Sequence, residues 1–229
     1  MRRFVTIAVL LLCAGVAYAD DDLIDADRPG IADGSHSVKK GRFQIEFGFE
    51  RDDAATDQTR FFPTLLRYGV TDSFELRAES GTFEHSRQGN GWDTVSLGFK
   101  DHFYERDNLS LGVIGRWFLS GGSGEFESDH SYGDLRLTGD MQFGEHWAIN
   151  PNVGVSLGTA TGALTIQYNL TPKSNVFVDG SVQKSLFIAD AGAAWILGNN
   201  SQLDFSVGWG AHGADAPRVF WSGGVSHRF

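Results

Sequence analysis

Apolar and polar residues alternate along this chain for about ten residues at a time, and this pattern constrains the fold more than any other feature. Phe43, Ile45, Phe47 and Phe49 alternate with Gln44, Glu46, Gly48 and Glu50. Leu135, Leu137 and Met141 alternate with Asp134, Arg136, Thr138 and Asp140; Leu203, Phe205, Val207 and Trp209 do so with Asp204, Ser206, Gly208 and Gly210. Successive side chains of a strand point to opposite faces, so each stretch reads as a strand with one apolar and one polar side. In a soluble sandwich the apolar side would turn inward. In an outer-membrane barrel it would meet lipid, and the polar side would line the interior. Roughly ten residues is what a tilted strand needs to cross the hydrocarbon layer. Tyr68, Trp117, Trp147, Trp195 and Trp221 fall near segment ends, where a membrane interface would hold them. The pattern predicts the barrel.

Composition narrows the choice further. The 229 residues include 29 Gly and 18 Phe but only 5 Pro and a single Cys, which excludes a disulfide framework. No later stretch is apolar for the ~18 residues that a spanning helix requires. The start is different: Arg2 and Arg3 precede an apolar run from Phe4 to Val16, and Ala17-Tyr18-Ala19 offers small residues for cleavage. These features predict a secretory signal over 1–19, cleaved after Ala19. Leu12 precedes Cys13 where lipid modification would want a small residue. An exported chain of net charge −10, with no basic cluster larger than that around Lys39, Lys40 and Arg42, is not expected to bind nucleic acid.

Dividing the alternation gives an all-β fold, a single antiparallel transmembrane barrel of about twelve strands. A count of ten stays open because 159–201 is hard to divide. Short turns at Thr71–Ser73, Gly144–His146 and Asn199–Ser201 alternate with longer loops at Asp52–Thr59, Gly81–Gly91, Gly121–Ser131 and Ala211–Arg218. Short turns belong on the periplasmic side and long loops outside. An even count then puts both termini in the periplasm. The expected organisation is a signal over 1–19, an extended periplasmic segment over 20–41 and a barrel over 42–229. The chain closes with Val225-Ser226-His227-Arg228-Phe229. That ending resembles the signal read by the barrel-assembly machinery, with Phe229 as its terminal aromatic and His227 where an aromatic is more usual.

The strongest candidate site is Arg67 with Glu75, Arg77 and Glu79. If Thr71-Asp72-Ser73 forms a turn, Arg67 faces Arg77 and lies diagonal to both glutamates, and all four point into the lumen. They could form a charged constriction that selects solutes, or a structural network that fills a narrow barrel. Asp134, Arg136, Asp140 and Asp204 are weaker candidates for the same lining. Catalysis is not expected: Ser226 and His227 are strand neighbours on opposite faces, and an outer-membrane acyl hydrolase would need a Ser–His pair converging at one membrane interface. Glu125, Glu127, Asp129 and His130 share one loop and read as a solvated acidic face, so no metal and no cofactor is expected.

Asp27-Arg28-Pro29, the run from Lys40 to Gly48, the run Leu66-Arg67-Tyr68-Gly69-Val70-Thr71-Asp72-Ser73-Phe74-Glu75-Leu76-Arg77, and Gln202 to Gly208 together carry a family resemblance. The chain resembles the outer-membrane barrels labelled for the meta-pathway of phenol degradation, often called transporter-like. It departs from them at Gly30-Ile31-Ala32-Asp33-Gly34, which replaces an acidic run containing Thr and Pro. The resemblance implies a link to aromatic-compound catabolism. The expected function is passive passage of small compounds, aromatic or apolar ones among them, across the outer membrane. The alternative is a non-conducting structural or surface-interaction barrel, with an acyl hydrolase third. The expected partners are outer-membrane lipid and lipopolysaccharide, the assembly machinery, and a small solute that the sequence does not name.

Overall fold

The structure is a computed structural model and describes residues 22–53, 58–211 and 219–229. The expected leader and the middles of the Asp52–Thr59 and Ala211–Arg218 loops lie outside the described residues. The alternating stretches form strands β1 (Phe43–Asp52), β2 (Thr59–Gly69), β3 (Phe74–Ser80), β4 (Phe83–His85), β5 (Asn90–Trp92), β6 (Ser96–Arg106) and β7 (Leu109–Phe118). They continue as β8 (Tyr132–Phe143), β9 (Trp147–Ser156), β10 (Thr159–Thr171), β11 (Ser174–Gln183), β12 (Leu186–Leu197), β13 (Ser201–Ala211) and β14 (Phe220–Arg228). Twelve of them close on themselves, because β1 pairs antiparallel with both β2 and β14. Closure leaves none of these twelve with a free edge, the condition for strands to survive in a bilayer. The stretch 159–201 divides cleanly into β10, β11 and β12, so the count is twelve rather than ten. β4 and β5 make an extra hairpin beyond the end of β3, β4 pairing with the first residues of β2 through Phe61↔Phe83 and with β5 through Phe83↔Trp92. Three-residue strands are too short to show a period, which is why the sequence leaves this hairpin as loop.

Burial is the reverse of that in a soluble protein. Gln44, Glu46, Glu75 and Lys100 are fully buried, whereas Leu137, Phe205 and Val153 are 44%, 50% and 58% exposed. The apolar side of each strand therefore faces outward, as lipid contact requires, and the polar side faces a crowded lumen. The sandwich is excluded on this observation.

One end of the barrel carries tight turns. Thr71 Oγ1 accepts from the Ser73 and Phe74 amides at 3.2 and 2.9 Å, pinning the β2–β3 turn. Gly144 and Gly198 adopt φ of +65° and +66° in the β8–β9 and β12–β13 turns, where a side chain would be strained. Phe229 closes this end: its amide donates to the Phe43 carbonyl at 2.8 Å, and its ring lies 4.5 Å from that of His227. The opposite end carries the β4–β5 hairpin and the long β7–β8 loop, but also two tight connections, β9–β10 and β11–β12.

An outward lipid-facing side predicts a depth-dependent penalty for charge. Leu137→Arg, near the middle of β8, should lower unfolding stability in liposomes by about 2–4 kcal/mol. Urea unfolding followed by Trp fluorescence measures this, and a change within about 0.5 kcal/mol, normal for an exposed soluble surface, would place Leu137 outside the bilayer.

Candidate functional site

The lumen is occupied. The sequence reading sets residues 20–41 apart as a periplasmic extension, but of the described part, 22–41, residues 22–40 run inside the barrel. It starts at the tight-turn end, where the Ile24 amide donates to Asn199 O at 2.7 Å and Arg228 bonds Asp22 at 3.0 Å. It climbs to an apex at Ile31 and Asp33, whose amides donate to Asp179 and Asn152 at 2.9 Å each. It then returns to the same rim, where the Lys40 amide meets Asp72 at 3.2 Å. The physical reason is local charge: among the described residues Lys100 has no strand carboxylate within ion-pair distance and Arg77 has only Glu75 at 3.5 Å, and the segment supplies Asp27 and Asp33.

Asp27 stands at the centre of this network. Its carboxylate lies 2.8 Å from Lys100 Nζ, 2.7 Å from Arg77 Nη1 and 3.7 Å from Arg67 Nη1. Burial by itself would raise the Asp27 pKa, but the charges of Arg67, Lys100 and Arg77 outweigh it and hold the carboxyl well below its usual range. Asp33 reaches Arg116, and also Arg77 at 3.4 Å. On the wall, Arg67 forms a two-pronged bond to Glu75, Nε–Oε1 at 2.9 Å and Nη2–Oε2 at 3.0 Å. Such paired bonds are strong and fix the guanidinium plane.

The four residues expected as a network are thus inward and close, in the expected register: Arg67↔Arg77 and Gly69↔Glu75. One pairing differs. Glu79 pairs instead with Arg116 of β7, an ion pair at 3.1 Å, and Arg67 takes Glu46 of β1 at 3.1 Å as its second acid. Of the weaker candidates, Asp134 bonds Arg136 at 3.0 Å and Asp204 bonds Arg28 at 3.1 Å. Asp140 accepts the Ser35 amide at 2.6 Å. Glu46, Lys100, Arg116, Arg28, Asp27 and Asp33 are not among the site candidates read from sequence, although Asp27, Arg28 and Glu46 fall in runs that carry the family resemblance. Alternation does mark Glu46 and Lys100 as inward, but nothing in it says which inward charges meet.

Glycines make room for the segment. Gly48 and Gly224 face each other across β1 and β14, and the Arg28 guanidinium lies in the notch between them. A Cβ on either glycine would sit 2.6 Å from Arg28 Cζ. With the segment in place, the lumen is divided. A cavity of about 200 Å³ lies towards the tight turns and one of about 300 Å³ towards the loops, and Asp27 and Arg28 wall both.

Two Ser–His pairs converge near the tight-turn rim. Ser110 Oγ lies 3.2 Å from His36 Nε2, whose Nδ1 is 3.4 Å from Asp140, and Ser201 Oγ lies 2.8 Å from His227 Nδ1. Ser110 is only 6% exposed, and Asp140 is already engaged by Ser35. Among the described residues no group of three or more His, Cys, Asp or Glu side chains is arranged to hold a metal.

The barrel is similar to solved outer-membrane proteins. It superposes on the COG4313 outer membrane channel from Pseudomonas putida F1 with a TM-score of 0.67 at 13% identity, covering 88% of this chain and 99% of that one. The KdgM porin gives 0.61 at 13% identity, covering 81% and 99%, and the CymD monoaromatic hydrocarbon channel 0.52 at 10%, covering 84% and 89%. Among curated proteins no sequence matches the chain. A family model described as "Putative MetA-pathway of phenol degradation" matches residues 26–229.

The centre of the network predicts a specific weakness. Asp27→Asn leaves Lys100, fully buried, without its carboxylate and should cost about 3–5 kcal/mol. The heat-modifiable gel shift of the barrel should then move to lower temperature, and Asp27→Asn with Lys100→Met should recover much of the loss. An unchanged single variant would mean that the segment does not occupy the lumen.

Proposed function

This chain belongs to that phenol-degradation family, and from that premise we propose passive passage of small compounds, aromatic or apolar ones among them, across the outer membrane. One observation carries the reading. The lumen is wide enough to admit residues 22–40, a stretch with neither helix nor strand, and what fills its middle is held there by ion pairs and hydrogen bonds that can open. Twelve strands lie between the ~8 that wall side chains fill and the ~16 that leave an open channel. Removing or shifting the segment would join the cavities on its two sides into one path.

The remaining features fit this reading. Residues 1–19 act as a signal cleaved after Ala19, and Phe229 is read by the assembly machinery. The tight-turn end with both termini faces the periplasm, and the β4–β5 hairpin and the β7–β8 loop face lipopolysaccharide and the exterior. Arg67, Glu75, Arg77 and Glu79 then form the charged wall beside the segment, with Asp134, Arg136, Asp140 and Asp204 further round the lumen. A second reading, a non-conducting structural barrel, is favoured by the division of the lumen at Asp27 and Arg28.

Reconstitution separates the two. Purified full-length protein in planar bilayers should give discrete conductance steps, and proteoliposomes should take up a small aromatic carboxylate faster than empty vesicles do. Absence of both, with the protein shown to be inserted, would leave the structural barrel. Insertion itself is checked by deleting Phe229, which should sharply reduce the amount recovered in the outer membrane.

A further inference from the structure

Three arginines of the wall converge on one carboxylate of the segment. Asp33, at the apex, meets Arg77 of β3 on Oδ1 at 3.4 Å, and Arg116 of β7 and Arg136 of β8 on Oδ2, the latter at 3.7 Å. Other acids take other nitrogens of the same arginines. Asp27 lies 2.7 Å from Arg77 Nη1, Glu79 3.1 Å from Arg116 Nε, and Asp134 3.0 Å from Arg136 Nη2. Burial alone would raise the Asp33 pKa, but the charges of Arg116 and Arg77 outweigh it and hold the carboxyl below its ordinary value. The cradle holds an ionised carboxylate.

The same cradle opens on a space large enough for a solute. The cavity of about 300 Å³ on the loop side touches Asp33, Arg77, Arg116 and Arg136 together. Arg136 is the most open of the three, with 21% of its side chain exposed. Phe118 lines this cavity beside the arginines, with Pro63 and Leu65, and its ring stacks on Tyr132 of β8, centroids 4.5 Å apart. An apolar cavity of about 150 Å³ admits benzene, so this one has room for a single ring and its carboxylate. Asp33 is held by its backbone separately: its amide donates to Asn152 Oδ1 and its carbonyl accepts from Asn152 Nδ2, both at 2.9 Å. Vacating the cradle therefore asks only the Asp33 side chain to turn.

Resting on the passage reading, we propose that Arg77, Arg116 and Arg136 bind the carboxylate of a small aromatic solute, in the place that Asp33 occupies until such a solute arrives. Guanidinium groups match carboxylates in geometry as well as charge. The exchange replaces one carboxylate by another, so the charge of the cradle is unchanged. The solute adds a ring that Asp33 lacks, and that ring buries against Phe118. Asp33 is a tethered competitor, present at high effective concentration, and it lowers the apparent affinity of the site for any free acid.

Benzoate is the probe, titrated by calorimetry into the full-length barrel in detergent, with benzyl alcohol as a similar ring without the charge. The wild type should bind benzoate saturably and benzyl alcohol more weakly by at least about tenfold. Asp33→Asn removes the competitor and should tighten benzoate binding by more than about tenfold. Benzoate should also raise the unfolding temperature of this variant more than that of the wild type. Adding Arg136→Gln to Asp33→Asn should cancel the gain. A purely structural Asp33 predicts the opposite sign, since its loss would loosen the barrel and weaken binding. The site is overturned if benzoate does not bind, if benzyl alcohol binds as well, or if Asp33→Asn leaves the affinity unchanged or lower. Should Asp33→Asn fail to fold, Arg136→Gln alone must weaken benzoate binding, and unchanged binding overturns the site. Binding is read without transport. A barrel that conducts but ignores benzoate loses this site and keeps the passage reading; one that binds benzoate but passes nothing keeps the site and loses that reading.

Discussion

The carboxylate of Asp27, set among Lys100, Arg77 and Arg67, is the interaction on which the rest of this structure depends. A barrel in a bilayer must turn its polar residues inward, and twelve strands enclose too little space to hydrate them all. Charges in that space must meet opposite charges or be lost, because an unpaired buried ion costs several kcal/mol. The wall answers part of the demand with Arg67–Glu75, Arg116–Glu79 and Arg136–Asp134. Lys100 and Arg77 look to the segment instead, and Asp27 serves both. The segment is thereby part of the barrel's interior electrostatics, although among the described residues no backbone-to-backbone bond to a strand holds its middle.

The same arrangement explains where small residues occur. Arg28 reaches Asp204 only because Gly48 and Gly224 leave a notch in the wall, and the returning chain passes Gly112 with Ser35 O placed 2.7 Å from where a Cβ would be. Any solute crossing the middle of the lumen meets Asp27, Arg28 and the groups paired with them. A change that loosens the segment also exposes the charge buried with it.

The strands were legible in the sequence because a period of two is a local property that lipid on one side and a polar lumen on the other both enforce. The turn at Thr71–Ser73 was legible for the same reason, and it set the register that places Arg67 opposite Arg77. The segment was not. Residues 22–40 have no period, and their partners lie far along the chain: Arg28 with Asp204, Ile31 with Asp179. Nor could alternation tell that Glu79 turns to Arg116 and not to Arg67, since both arginines lie on the same inward face. Inward charges announce that a network exists; which of them meet is decided by the closed barrel and by what enters it.

The central claim is that residues 22–40 are seated in the lumen, and a cross-link tests it most directly. The single cysteine, Cys13, lies in the expected leader, so introduced pairs can be read without interference. Gly30→Cys with Thr165→Cys joins the segment to β10 at a point where a Cβ on residue 30 lies 3.7 Å from Thr165 Oγ1, within the reach of a disulfide. Mild oxidation of the folded, membrane-inserted protein should form this bond in nearly every molecule, seen as a reductant-sensitive shift on a denaturing gel. Two free thiols that stay reactive to a water-soluble maleimide after oxidation would contradict the account, and would put the segment outside the barrel.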